Sequence, residues 1–152
     1  MYFFQIRPLG QALISLGFMA YTLINLTQLS AEGALDAASL KTLFWHAAIA
    51  LLIAEIVFHA SLAIAFWKQV DAGEDERDHA IEQKAIVNSN YAHGGLLAII
   101  FLAALGHDRV PADFYFIELA PHYNIAILAS MGYLFIDAIK HGAQAIAYFR
   151  GN

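Results

Sequence analysis

The sequence predicts an all-α integral membrane protein: a four-helix bundle with both termini on the cytoplasmic side. Three observations predict it. Hydrophobic residues make up 60% of the 152-residue chain and charged residues 14%, against about 45–50% and about 25% in soluble domains. A soluble fold of this size has too little interior to hide that much apolar surface, whereas a bilayer solvates it. The apolar residues also gather into four runs, each near the ~20 residues that one crossing requires. Finally, the basic residues are uneven about those runs. Arg7, Lys68, Arg77, Lys84, Lys140 and Arg150 fall on one side, and only Lys41 and Arg109 on the other. Such a bias marks the basic side as cytoplasmic.

The whole chain, 1–152, reads as one four-span domain. The first span covers about 9–29, opened by Pro8, a residue suited to a helix start. Its apolar run from Leu9 to Leu26 is longer than the ~7–15 residues of a signal peptide, and Ser30-Ala31 is a poor cleavage site. The second span covers about 43–67 and ends at Trp67-Lys68. The third has its apolar part at 85–105. No helix breaker follows Gly73, so one long helix is expected from about Asp75 to Leu105, its first turns projecting into the cytoplasm. The fourth span covers about 121–148 and again opens on a proline. Between the last two, the aromatic run Phe114-Tyr115-Phe116 is expected at the interface.

Composition also excludes some functions. The net charge is −5, which argues against nucleic acid, a partner that demands a basic footprint. Cysteine is absent, which removes disulfides, thiolate metal sites and cysteine nucleophiles.

Function is to be sought where polar groups are forced into the membrane. Glu55 sits near the middle of the second span, where an ionised acid costs at least ~2.5 kcal/mol on insertion scales. It must be protonated, paired or turned to a polar interior. His59 lies one turn on, on the same face. In the third span, His79, Glu82, Ile86, Asn90 and His93 fall on one stripe at 100° per residue. The fourth places Ser130, Tyr133, Asp137 and His141 on one face, and the first adds a milder face of Gln11, Ser15, Thr22 and Asn25. His59 and His93 each lie about 12 Å from the cytoplasmic end of their spans at about 1.5 Å per residue. Asp137 is nine residues before Ile146, at similar depth. These groups are expected to converge in the cytoplasmic half, as ligand sites in bundles do.

Several readings compete there. Glu55, His59, His93 and Asp137 are a candidate metal shell for zinc, iron or manganese. Asn90, Tyr133 and His141 would orient it. A second reading places haem b between His59 and His93, with Asn90, Tyr133 and His141 around it. A third is a proton relay or quinone pocket, as in a proton-coupled transporter. A fourth has the same groups only fixing helix packing. The chain is thus a small ligand-, cofactor- or metal-binding membrane protein, an accessory or scaffold subunit of a larger complex, or a metal-dependent membrane enzyme. Membrane lipid and a homo-oligomeric or larger assembly are the expected partners. His46, beside Trp45, reads as interfacial, and His107 and His122 as solvated, with a surface metal site formed together with Asp108 and Asp113 as the lesser reading. Gly94-Gly95 reads as a place of close helix approach or a bend.

One segment carries a resemblance. Asp75-Glu76-Arg77-Asp78-His79-Ala80-Ile81-Glu82-Gln83-Lys84-Ala85 resembles a signature of uncharacterised bacterial inner-membrane proteins. There an Asp-Glu-Arg-Asp/Glu run, then Ile and Lys/Arg-Ala, leads into a late spanning helix. The likeness covers 75–105. It implies a four-helix protein of the bacterial inner membrane and no particular activity. Glu55, His59 and Asp137 are not part of it.

Overall fold

The computed structural model describes residues 3–72, 75–106 and 121–150. They form five helices: α1 (Phe3–Ala31), α2 (Ala37–Ala65), α3 (Trp67–Ala72), α4 (Glu76–Gly106) and α5 (Pro121–Arg150). There is no strand among the described residues. Four of the five helices, all but α3, are long and apolar enough to cross a membrane, which makes this a multi-pass membrane bundle. Phe114-Tyr115-Phe116, His107, Asp108 and Asp113 lie outside the described residues.

Each long helix packs mainly on a neighbour rather than around one central core. α1 packs on α5 and on α2, and α5 packs on α4. The contacts are antiparallel throughout: Gln11 meets His59, Ser15 meets Asp137, and His93 meets Tyr133. Phe3 and Arg150 therefore lie at one end of the bundle, here the terminal end. The turn joining α1 to α2 lies at the far end. Leu26, Leu40, Leu43 and Ile127 close the core there. Large apolar side chains such as Leu52, Ile56 and Ile64 are left outside the chain's own packing, a surface that lipid covers at no cost.

Local chemistry sets the helix ends. Gly33 takes φ +64°, a left-handed conformation cheap only for glycine. Its N–H bonds Ser30 O and that of Ala34 bonds Leu29 O, the paired bonds of a Schellman C-cap. Asp36 then opens α2 through a reciprocal capping box with Ser39. Its carboxyl is held below its ordinary pKa, chiefly by the Ser39 N–H and then by the Ser39 hydroxyl.

The Asp75–Asp78 pair does the same for α4. The Asp78 N–H donates to Asp75 Oδ1 at 2.8 Å and the Asp75 N–H to Asp78 Oδ2 at 3.2 Å. The first and fourth residues of the acidic signature thus form a helix-start device.

Two expected boundaries shift. Pro8 does not open α1, which begins at Phe3; the Phe3 N–H is taken by Gln69 Oε1 at 2.8 Å. That bond and the Phe3–Phe66 ring contact hold an extra turn ahead of the proline. The second span ends at Ala65, because Phe66 leaves the helical region as its C-cap and α3 turns off. Trp67 is exposed, with Lys68 Nζ 5.6 Å from its ring centroid.

Candidate functional site

The polar groups of α1, α2 and α5 meet in the half of the bundle nearest the termini. The first element is the α1 face. Ser15 and Thr22 are 1% and 2% exposed. Thr22 satisfies its hydroxyl on Phe18 O and Asn25 its amide on Tyr21 O, so both serve their own helix. Gln11 and Ser15, one turn apart, reach across to neighbours instead.

Ser15 Oγ donates to Asp137 Oδ2 at 2.6 Å. The other carboxylate oxygen, Oδ1, lies 3.4 Å from His141 Nε2. His141 Nδ1 is 2.8 Å from Gln144 Oε1. An amide oxygen only accepts, so Nδ1 carries a hydrogen in this arrangement. Nε2 then faces a carboxylate and needs a second proton between them, on nitrogen or on oxygen.

On the other flank of α1, His59 Nε2 lies 3.2 Å from Glu55 Oε2 and 3.2 Å from Gln11 Nε2. One ring nitrogen thus meets an acid and an amide together. An amide NH2 only donates, so in the contact with Gln11 the ring nitrogen accepts; donating to Glu55 instead would break that bond. The two acid–imidazole pairs share the same spacing and stand on either side of one α1 face.

A polar cavity of about 140 Å³ joins this cluster toward the terminal end. Arg7, Gln11, Glu82, Lys140, His141 and Gln144 line it. At about 30 Å³ per water molecule it has room for several. Gln11 therefore touches His59 on one side and borders, on the other, the space that His141 borders. Sequence reasoning did not pick out Gln144, Arg7 or Lys140 for this site. The available signal was the α5 stripe 130, 133, 137, 141, which continues in phase to 144.

The four-residue metal shell is not gathered. Among the described residues, no three His, Asp or Glu side chains stand close enough to hold a metal ion. The reason is the packing order: Glu55 and His59 ride on α2, which packs on α1, while His93 rides on α4, which packs on α5. Nor are His59 and His93 brought face to face as axial haem ligands would be, because α2 packs on α1 and α4 on α5. His93 Nδ1 is taken by Ser89 O at 2.8 Å within α4, and its ring packs against Tyr133 at 5.6 Å between centroids. His59 Nε2 is engaged with Glu55 and Gln11. His93 Nε2 is buried with no partner among the described residues. Of the three orienting residues, only His141 joins an acid. Tyr133 touches His93 but is half-exposed, and Asn90 points away from the bundle.

The expected α4 stripe is also rotated. Ala85 and Ser89 are buried, whereas Ile86 and Asn90 are exposed. Small side chains let α5 close on that face, and Glu82, Ala85, Ser89 and His93 follow it. Nor do Gly94 and Gly95 meet a neighbour, since a Cβ at either would enter open space. The close approaches fall at Gly10, where a Cβ would strike the Phe58 ring, and at Gly132, where it would press on Leu96.

No protein-family profile, curated protein or solved structure matches this sequence.

Proposed function

We propose that this protein binds and exchanges protons inside the membrane, as a small proton-coupled membrane protein with its polar site opening toward the terminal end. One observation carries the reading: two acid–imidazole pairs, Glu55–His59 and Asp137–His141, flank one α1 face and are each tied to it by a polar side chain. Intramembrane acids and histidines in series are the ordinary parts of proton relays. The adjoining cavity lets protons enter and leave by water. The excess of Lys and Arg at the terminal end supports a cytoplasmic location for it. The resemblance at 75–105 supports a bacterial inner membrane.

The test is an infrared titration of the protein in lipid between pH 4 and 9. The expected result is a carboxylic C=O band that changes with pH and weakens in Asp137→Asn and, separately, in Glu55→Gln. Identical spectra in both variants and the parent protein would sink the reading.

One observation favours a second reading, an assembly subunit or homo-oligomer. Asn90 is exposed in the apolar part of α4 and makes no hydrogen bond among the described residues. A lone amide facing lipid gains from a partner helix. Crosslinking through Asn90→Cys in membranes tests this, with a captured partner or dimer expected and monomer alone arguing against it.

A further inference from the structure

From one turn beyond Glu55 and Asp137 toward the far end, α2 and α5 stand apart over Thr22 of α1. The gap is a lateral groove of about 720 Å³, within the ~300–1,000 Å³ typical of ligand sites. Leu40, Phe44, Leu51, Tyr123, Met131 and Leu134 line it, with Lys41 at its far-end mouth. We infer that this groove holds one glycerophospholipid of the far leaflet, an acyl chain along the trough and the phosphate on Lys41.

Three observations fix that occupant. The first is length. Lys41 and Leu51 are ten residues apart on α2, about 15 Å at helical rise, which is half of the ~30 Å hydrocarbon thickness. The trough is therefore one leaflet deep. The second is chemistry. The lining is mostly apolar: Thr22 and Ser130 spend their hydroxyls on Phe18 O and Ala126 O, which leaves the hydroxyls of Tyr123 and Tyr133 as its polar groups besides Lys41. Little is left to bind a polar ligand along the trough, whereas an acyl chain asks for nothing. The third is charge. Among the described residues, Lys41 is the one cationic side chain on the groove wall, set where a headgroup phosphate lies. The nearby acid Asp36 is occupied by Ser39, and Glu32 lies on the preceding turn. This site is separate from the proton reading and stands or falls without it.

The experiment is native mass spectrometry of the full chain released from detergent, titrated with phosphatidylglycerol, phosphatidylethanolamine or phosphatidylcholine. One tightly retained phospholipid per chain is expected. Lys41→Gln should weaken retention about fivefold, from roughly 1 kcal/mol per basic residue near a membrane surface. Lys68→Gln, at the opposite end, should leave it unchanged. Ala48→Phe, which fills the groove from an exposed α2 position, should abolish it while helicity by circular dichroism stays intact. Stronger retention of phosphatidylglycerol than of the other two would assign the contact to net anionic charge; equal retention would assign it to the shared phosphate. Retention that ignores both Lys41→Gln and Ala48→Phe, or no retained lipid, would overturn the inference.

Discussion

The two acid–imidazole pairs have the same spacing, an acid followed four residues later by a histidine, yet they are built differently. On α5, His141 is only 10% exposed and Asp137 23%, and Ser15 and Gln144 bond them from outside the pair. On α2, His59 is 40% exposed and Glu55 28%, and among the described residues Gln11 alone reaches them. The difference comes from position: α5 is enclosed by α1 and α4, while α2 packs chiefly on α1. Motifs of the same spacing acquire different surroundings because the helices that enclose them differ. The α5 pair is thus the more firmly fixed of the two and the α2 pair the more open to its surroundings.

The largest expected effect breaks this comparison directly. In liposomes containing a pH-sensitive dye, Asp137→Asn should slow protein-dependent proton movement about 10²-fold, the lower range for loss of a positioned acid–base group. Glu55→Gln should slow it about tenfold or less, since it removes the more loosely tied acid. Equal effects would erase the distinction between the pairs. A larger effect for Glu55→Gln would reverse it.

Next comes Ser15→Ala. It removes the 2.6 Å bond to Asp137 in a place where water does not replace it. Hydrogen bonds to charged groups contribute about 1.5–3 kcal/mol, so stability in detergent should fall by that order. Thr22→Ala, equally buried but bonded only to its own helix, should cost less. Parity between the two would remove Ser15 from the site.

Gly10→Ala tests the α2 flank by packing alone. Its Cβ would enter the Phe58 ring, one residue before His59. Overpacking of this kind costs about 1–3 kcal/mol, and the displaced α2 should lose the Gln11–His59 contact. Phe58→Leu in the same chain should restore both stability and contact, read by the His59 ring signals in NMR. The Asp137–His141 signals should not move in either variant. If they move, the two pairs are mechanically one unit.

These contrasts also show what the sequence made legible. The four spans were plain, because apolar runs of this length have one solution in a bilayer. Glu55–His59 and Asp137–His141 were plain too, because i,i+4 spacing places both members on one helix face. What joins the pairs was not. That α1 and α5 pack together, leaving His93 with Tyr133 rather than with Glu55, depends on which helix surfaces fit. The glycines make the point sharply: Gly94-Gly95 stood out in the sequence and meets nothing, whereas Gly10 and Gly132 sit against Phe58 and Leu96. Close packing is a property of two surfaces, and a single chain of letters describes one at a time. The acidic signature at 75–78 could have been read as a capping box, since its two acids are three apart at a helix start.

The smallest effect is expected at the far end, away from both pairs, and it guards the comparison against a false acid response. Asp36 has its pKa lowered by the Ser39 N–H and hydroxyl. A carboxyl whose folded pKa lies below its unfolded value stabilises the fold above the unfolded pKa. That contribution is lost as the pH falls through the lower folded pKa. Acidification below the ordinary carboxylate range should therefore loosen the start of α2, with faster amide exchange at Ser39 and Leu40. Asp36→Ala should show that faster exchange already at neutral pH and lose its acid dependence. Neither change should reach the Gln11–His59 contact, which lies about six turns away along α2. If acid-induced loosening at Ser39 also shifts His59 in the parent protein but not in Asp36→Ala, pH responses at the α2 pair must be assigned to the cap rather than to Glu55.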